Sequence, residues 1–322
     1  MIDSHNRNID YMRISITDRC NLRCTYCMPH GIKLAAHSEI LSYEEILRIC
    51  NLAVSLGIHK FKITGGEPLV RKGCVDFIAR LKAMPGAEQV TLTTNGTLLE
   101  EQISDLRSAG LDGVNISMDT LRPERYRSLT AYAGEMPDIE RLSALCIAKG
   151  LRTKINTVLL SELEDELVDI ASIAERLPVD VRFIELMPIG VGKSVDGISA
   201  QIVKERLSAR WPDLHHVSKN RGNGPAEYFH AQELIGYIGF ISAMSGKFCD
   251  GCNRIRLTGM GQLRNCLCYD YGVDLRDTLR SGASDSELLS QMEACILSKP
   301  KAHTFSHPEQ MKETITMNQI GG

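Results

Sequence analysis

Asp18-Arg19-Cys20-Asn21-Leu22-Arg23-Cys24-Thr25-Tyr26-Cys27 places three cysteines close together in a CxxxCxxC pattern, with an aromatic residue before the last. A [4Fe–4S] cluster usually takes one cysteine per iron, four in all. Three thiolates leave one iron with an open position, and an open position on a metal invites a reacting ligand. A structural zinc site completed by His30 or His37 is the plainer alternative, although zinc sites more often pair two CxxC knuckles. A disulfide is a weaker reading still, because three neighbouring cysteines cannot all pair among themselves.

The same run resembles the signature of the radical S-adenosylmethionine superfamily. That resemblance implies an open iron chelating the amino and carboxylate groups of S-adenosylmethionine. It also implies cleavage of the sulfonium, by an electron from the cluster, to a 5′-deoxyadenosyl radical.

Outward from the cysteines, residues 11–211 alternate short β-branched runs with amphipathic stretches. Strands are expected at 12–16, 60–64, 89–93, 113–117, 153–158 and 180–186. Helices are expected at 43–56, 74–84, 100–109, 138–149, 165–177 and 200–210, with Ser42 and Glu45 forming a capping box for the first. Six such units fit a parallel sheet with helical crossovers, and they fall short of the ~250 residues typical of a full eight-unit barrel. The expectation is an α/β protein: an incomplete six-unit (β/α) TIM-like barrel over residues 1–212, then a C-terminal domain over 213–322. Periodicity leaves a doubly wound sheet open as the alternative. The barrel is favoured because the unusual residues cluster at strand ends, where barrels carry their working groups. The cysteine loop follows the first strand, Gly65-Gly66-Glu67-Pro68 the second and Thr94-Asn95-Gly96 the third. Ser117-Met118-Asp119 closes the fourth and Glu185-Leu186-Met187-Pro188 the sixth.

Gly65 and Gly66 would permit positive φ and close backbone approach to a ligand, and Glu67 adds an acceptor. In the radical S-adenosylmethionine superfamily a similar GGEP motif contacts the methionyl amino group.

The chain has 322 residues, 43% hydrophobic and 24% charged, which is ordinary for a globular protein. No apolar run is long enough to span a bilayer, and Met1-Ile2-Asp3-Ser4-His5-Asn6-Arg7 has no apolar signal segment. Eleven cysteines without an export signal point to reduced thiols and a cytoplasmic location. A net charge of −3 argues against nucleic acid or an anionic membrane as partner. It leaves room for a small anion, since one ion pair about 4 Å apart is worth ~4 kcal/mol at an effective dielectric near 20.

After Trp211 the alternation stops. His215, His216 and residues 220–225 read as linker or loop, followed by a strand over 234–241. Then Cys249-Asp250-Gly251-Cys252 forms a second knuckle, with Cys266 beyond it. Cys268 could supply a fourth ligand and close the site, and spacing alone leaves that choice open. In Cys252-Asn253-Arg254-Ile255-Arg256-Leu257-Thr258 the two arginines are two apart, so an extended chain turns both the same way and offers a forked phosphate site. The bland alternative is a pair of solvated surface arginines.

Taken together these motifs are similar to those of the GTP 3′,8-cyclase family of molybdenum-cofactor biosynthesis. The resemblance runs from Arg13 to the last residue. It rests on residues 13–24, Cys27-Met28-Pro29, Thr64-Gly65-Gly66-Glu67-Pro68-Leu69, Leu92-Thr93-Thr94-Asn95-Gly96, Arg182-Phe183-Ile184-Glu185, residues 249–258 and the terminal Gly321-Gly322. It implies two [4Fe–4S] clusters, one on Cys20, Cys24 and Cys27, the other on Cys249, Cys252 and Cys266 with its open iron toward GTP. It implies GTP contacts from Arg13, Lys62, Thr93, Lys154, Arg254 and Arg256. S-adenosylmethionine contacts would come from Tyr26, Gly65, Gly66, Glu67, Ser117 and Met187. The implied reaction takes hydrogen from C3′ of the GTP ribose and joins C3′ to C8 of guanine, giving (8S)-3′,8-cyclo-7,8-dihydroguanosine 5′-triphosphate. The Gly321-Gly322 tail would reach the active site and assist radical formation, placing both glycines with Arg13, Arg254 and Arg256 among the catalytic groups. The implied partners are a low-potential electron donor and, downstream, cyclic pyranopterin monophosphate synthase, with a homodimer as one assembly open to the chain.

Two residues depart from the family's pattern. Lys62 stands where the family often has arginine, keeping the charge but losing the planar fork. Met260-Gly261 replaces a common Asp-Gly turn. Cys268 is expected to stand outside the cluster. The competing readings are a radical peptide-modifying enzyme with an auxiliary cluster and a zinc-binding nucleic-acid module.

Overall fold

The computed structural model describes residues 1–218, 221–246, 248–305 and 316–321. Six strands follow one another in chain order: β1 (Tyr11–Ser15), β2 (Lys60–Thr64), β3 (Gln89–Thr94), β4 (Gly113–Ser117), β5 (Arg152–Leu159) and β6 (Asp180–Glu185). They lie side by side, all parallel, in sequence order. A doubly wound sheet reverses its strand order at a switch point; this one does not, so the crossovers all run the same way around and the sheet curls into an open barrel. The first helix, Tyr43–Ser55, begins as expected: Ser42 Oγ accepts from the Glu45 amide and the Glu45 carboxylate accepts from the Ser42 amide.

Later strands extend the same sheet. These are β7 (His215–Val217), β8 (Glu227–His230), β9 (Tyr237–Ile241), β10 (Arg254–Leu257), β11 (Gln262–Arg264) and β12 (Gly272–Asp274). The strand β9 pairs in parallel with β6, and β10 in parallel with β1. Antiparallel hairpins cap both edges, β8 and β7 beyond β9, β11 and β12 beyond β10.

Alternation along the barrel strands sorts two faces. Met12 and Ile14, Phe61 and Ile63, Val90 and Leu92, Val114 and Ile116, Val181 and Phe183 are buried in the main hydrophobic core. Each such side chain contributes roughly 1.5–3 kcal/mol by leaving water. The intervening positions carry Arg13, Lys62, Thr93, Asn115, Asn156 and Arg182, which face a cavity. A barrel lumen is ordinarily packed with branched apolar residues; this one is polar and cationic.

Several expected elements differ. The single helix expected over 165–177 is a 3-10 turn, Ser161–Glu166, followed by two short helices, Leu167–Ala171 and Ile173–Arg176. The Glu166 carboxylate is drawn inward by the Thr120 hydroxyl (2.7 Å) and the Leu121 amide (2.8 Å), and Ser172 Oγ donates back to the Val168 carbonyl, a bond that bends helices. A helix at Pro123–Thr130, opened by its proline, lies in a stretch for which no element was expected. His215 and His216 are strand residues paired with His230 and Phe229. The strand expected from 234 starts at Tyr237, because the Leu234 amide closes a turn on the Ala231 carbonyl.

Candidate active site

Strand register sets a row of cations across the lumen. Arg256 lies beside Arg13, and Arg13 beside Lys62. Arg254 lies two residues before Arg256 on β10 and lines the same cavity. Further along, Thr93 neighbours Asn115, Asn115 neighbours Lys154, and Lys154 neighbours Asp180. Burial, reinforced by Arg182 and Arg13, pushes Lys62 well below its usual pKa. Burial with Arg13 and Arg254 does the same to Arg256. Burial lowers Lys154 to about 8, helped by Arg182 and opposed by Asp180. Among the described residues Arg13 Nε and Thr93 Oγ1 are buried with no hydrogen-bond partner. Crowded cations and orphaned donors of this kind are relieved by an anionic ligand.

Not every expected contact is free. Lys154 Nζ donates to Asp180 Oδ2 (2.6 Å), the Arg221 carbonyl (2.5 Å) and Tyr228 Oη (2.8 Å), which uses all three of its protons. Arg182, Arg221, Asn115 and Lys299 also line the cavity but had no place among the expected site residues. Arg182 sits two positions from Ile184 on a strand whose alternation was legible, so its facing could have been read. Arg221 and Lys299 arrive on loops that carry no such signal.

The first triad rides the loop after β1. The Cys24 carbonyl accepts from the amides of Cys27 (3.1 Å) and Met28 (2.9 Å), a tight turn that gathers the cysteines. The loop is stitched down by the Arg23 and Thr25 amides on the Thr130 and Leu129 carbonyls, and by Tyr26 Oη donating to Asp119 (2.6 Å). Burial and the neighbouring thiols hold Cys24 well above the ordinary thiol range, and burial with Cys20 and Asp119 pushes Cys27 up to about 12. Buried thiols that repel one another once ionised fit a cationic metal centre, which would stabilise all three thiolates. Cys20 Sγ also accepts from the Leu22 amide (3.4 Å) and Asn95 Nδ2 (3.8 Å), hydrogen bonds of the kind that tune cluster sulfurs.

Gly65 and Gly66 line the cavity, but neither has positive φ. The close approach they permit is to the chain's own backbone. A Cβ on Gly66 would lie 2.4 Å from the Arg19 carbonyl oxygen, and one on Gly65 2.6 Å from that of Thr17. The glycines therefore let the β2 loop lie directly against the segment that leads into Cys20. The Glu67 carboxylate accepts from the Leu69 amide (3.0 Å), Thr94 Oγ1 (2.9 Å) and the Asn95 amide (2.7 Å), while its burial raises it to about 7. Ser117 and Met187 line the same wall.

The second triad faces the first across the same cavity. Cys249, Cys252 and Cys266 all line it. Cys249 Sγ accepts from the His303 amide (3.4 Å), and Cys252 Sγ from Arg254 Nη2 (3.7 Å). Burial would raise Cys252, yet the charges of Arg254 and Lys299 bring it down to about 6. Such a stabilised thiolate suits a metal ligand. Among the described residues no three His, Cys, Asp or Glu side chains close on a single ion. Cys268 does not line the cavity: its sulfur meets the Thr304 amide (3.3 Å) and hydroxyl (3.6 Å), inside an apolar cluster with Ile189, Ala243 and Phe305.

The C-terminal turn inserts beside both. Asn318 Nδ2 donates to the Asp18 carbonyl (3.0 Å), two residues from Cys20, and Arg256 Nη1 donates to the Gly321 carbonyl (3.3 Å). Gly322 lies outside the described residues.

The Radical SAM superfamily matches residues 14–174, and Molybdenum Cofactor Synthesis C matches residues 179–305. GTP 3′,8-cyclase of Heliobacterium modesticaldum is 45% identical over 328 residues, covering 100% of both chains. That of Clostridium perfringens (strain SM101 / Type A) is 42% identical over 324 residues, again covering 100% of both. The chain belongs to the GTP 3′,8-cyclase family. Both triads and the β10 arginines of this family member fall within the length matched to those cyclases. Streptococcus suis SuiB bound to S-adenosylmethionine is similar in fold alone, with a TM-score of 0.65 at 13% identity over 89% of this chain and 69% of that one. Among the described residues of this GTP 3′,8-cyclase family member, no helix is long and apolar enough to cross a membrane.

Proposed function

We propose that the chain is a GTP 3′,8-cyclase, converting GTP to (8S)-3′,8-cyclo-7,8-dihydroguanosine 5′-triphosphate with S-adenosylmethionine as radical source, the first step of molybdenum-cofactor biosynthesis. The observation that carries this reading is that both cysteine triads and the Arg13, Lys62 and Arg256 row open onto one cavity. Cys20, Cys24 and Cys27 would hold a [4Fe–4S] cluster that would supply the electron for cleaving S-adenosylmethionine, and Cys249, Cys252 and Cys266 would hold a second that would bind the nucleotide.

The residues divide the remaining work. Residues 1–212 supply the S-adenosylmethionine site and most of the barrel wall; residues 213–322 supply the second triad and close the wall. Arg13, Lys62, Arg254 and Arg256 grip the triphosphate, with Thr93 and Lys154 at its flank. Charge-assisted hydrogen bonds from guanidinium are directional as well as strong, so the ribose is held in one orientation. Tyr26, Gly65, Gly66, Glu67, Ser117 and Met187 shape the pocket for S-adenosylmethionine. Tyr26 acts through its bond to Asp119, which fixes the cysteine loop. Glu67 acts through the β3 end that it holds. The Gly321-Gly322 tail assists radical formation, and the enclosed site keeps water from a reactive radical. A low-potential electron donor would serve the cluster that Cys20, Cys24 and Cys27 would hold, the product passes to cyclic pyranopterin monophosphate synthase, and the enzyme works in the cytoplasm.

The test is anaerobic reconstitution followed by incubation with reductant, S-adenosylmethionine and GTP, and mass analysis of products. The expected products are 5′-deoxyadenosine and a cyclised nucleotide isobaric with GTP. Formation of 5′-deoxyadenosine with GTP recovered unchanged would refute the substrate assignment.

A further inference from the structure

Lys299 follows the helix Asp285–Leu297, and its side chain is buried, 3% exposed, at the wall of the cavity. Its ammonium donates to the carbonyls of Arg254 (2.8 Å) and Asn265. Those two carbonyls belong to different arms of the second triad. Arg254 lies two residues after Cys252, and Asn265 immediately precedes Cys266. The third arm is tied to the same segment through Arg7. Arg7 Nη1 donates to the carbonyls of Cys249 (3.1 Å) and Lys301 (3.1 Å), Nη2 to those of Pro300 (2.8 Å) and Lys299 (3.4 Å), and Nε to Asp3 (2.6 Å). All five guanidinium protons of Arg7 are used.

The charge of Lys299 is the unusual part. Among the described residues no carboxylate lies within ion-pair distance of its ammonium; its hydrogen-bond acceptors are neutral carbonyls. A buried ammonium without a counter-charge is strongly disfavoured. The negative charge available nearby is that of the cysteine thiolates. Arg254, which also faces Cys252 Sγ, adds to the same positive wall.

We infer that Lys299 is a positioning residue of the second cysteine triad, joining the Cys252 and Cys266 arms and giving the cluster they hold a fixed positive neighbour. The inference rests on the assignment of Cys249, Cys252 and Cys266 as cluster ligands. A cluster's reduction potential follows the net charge and hydrogen bonding around it. A fixed cation favours the more negative, reduced state, so its removal shifts the potential downward. It leaves the first cluster alone, because Lys299 bonds to neither the Cys20 loop nor the Gly65-Gly66 loop.

The experiment is an anaerobic redox titration of the reconstituted wild type, Lys299→Met and Lys299→Arg, with iron analysis and EPR. The cluster whose signal responds to added GTP is followed separately from the one that responds to S-adenosylmethionine. A wild type with iron for one cluster and no GTP-responsive signal refutes the ligand assignment itself, before any variant is read. Given two clusters, Lys299→Met is expected to titrate at a more negative potential for the GTP-responsive cluster alone, with Lys299→Arg restored toward wild type. Loss of that cluster's iron in Lys299→Met, recovered in Lys299→Arg, equally upholds the role. A wild-type potential in fully loaded Lys299→Met overturns the inference. So does failure of Lys299→Arg to restore what the methionine removes.

Discussion

Arg256 Nη1 donates to the carbonyl of Gly321 at 3.3 Å, tying a strand beside the second cysteine triad to the end of the chain. Gly321 is in the left-handed region at φ 80°, and a Cβ there would meet Ser15 Cβ and Thr64 Cγ2 at 2.9 Å each. The tail is thus seated against the C-terminal ends of β1 and β2, where only glycine fits.

Gly321→Ala is expected to lose activity without unfolding. A left-handed conformation costs a residue with a Cβ about 1–2 kcal/mol, and the crowding adds to it, so the turn is displaced. Cyclised product should form roughly tenfold more slowly, with an unchanged circular dichroism spectrum and full iron content. Wild-type turnover would show that the tail is a passive end.

Arg13→Ala should weaken GTP use selectively. Loss of hydrogen bonds from a charged group costs about 2 kcal/mol, roughly thirtyfold in kcat/KM. Iron content and uncoupled cleavage of S-adenosylmethionine should be unaffected. The same kcat/KM in variant and wild type would take Arg13 out of the triphosphate grip.

The cysteines make a paired prediction. Cys24→Ala should abolish 5′-deoxyadenosine formation, and Cys252→Ala should deplete the second cluster's iron while leaving the first. Cys268→Ala should keep both, because its sulfur is committed to Thr304. Iron depletion in the Cys268 variant would make it a ligand after all.

GTP affinity should depend on pH through Lys154. In the ligand-free site this lysine loses its proton at about 8, below its usual value. A bound triphosphate raises it again, so binding takes up a proton above that pH. The contribution of Lys154 to affinity should be full below about pH 8 and be lost as pH rises through it, as equilibrium dialysis of wild type and variant from pH 7 to 9.5 would record. Lys154→Arg, which stays charged, should flatten that fall. An identical slope in the variant would assign it to another group.

Much of this was legible in the chain. The CxxxCxxC run, the CxxC knuckle and the alternation of β2 through β6 are local patterns, and local chemistry enforces them: cysteine spacing sets which sulfurs can share a centre, and a period of two sets which side chains share a face. That is why Lys60–Thr64, Gly113–Ser117 and Ala200–Arg210 fall where periodicity put them. The 3-10 turn that replaces the start of the helix expected over 165–177 was not legible, because Glu166 is drawn to Thr120 by tertiary contact.

By itself the sequence determined the ligand types, the β/α order and the excess of cations near the second triad. Only the tertiary structure decided that β10 pairs with β1, which sets Arg256 beside Arg13 and brings the second triad to the same cavity as the first. It also decided that Lys154 is already engaged by Asp180, that the Cys268 sulfur meets Thr304, and that Lys299 joins two arms of a triad. These are contacts between residues far apart in the chain. They form only when burial of the apolar strand face closes the sheet, and no local spacing encodes which distant partners that closure selects.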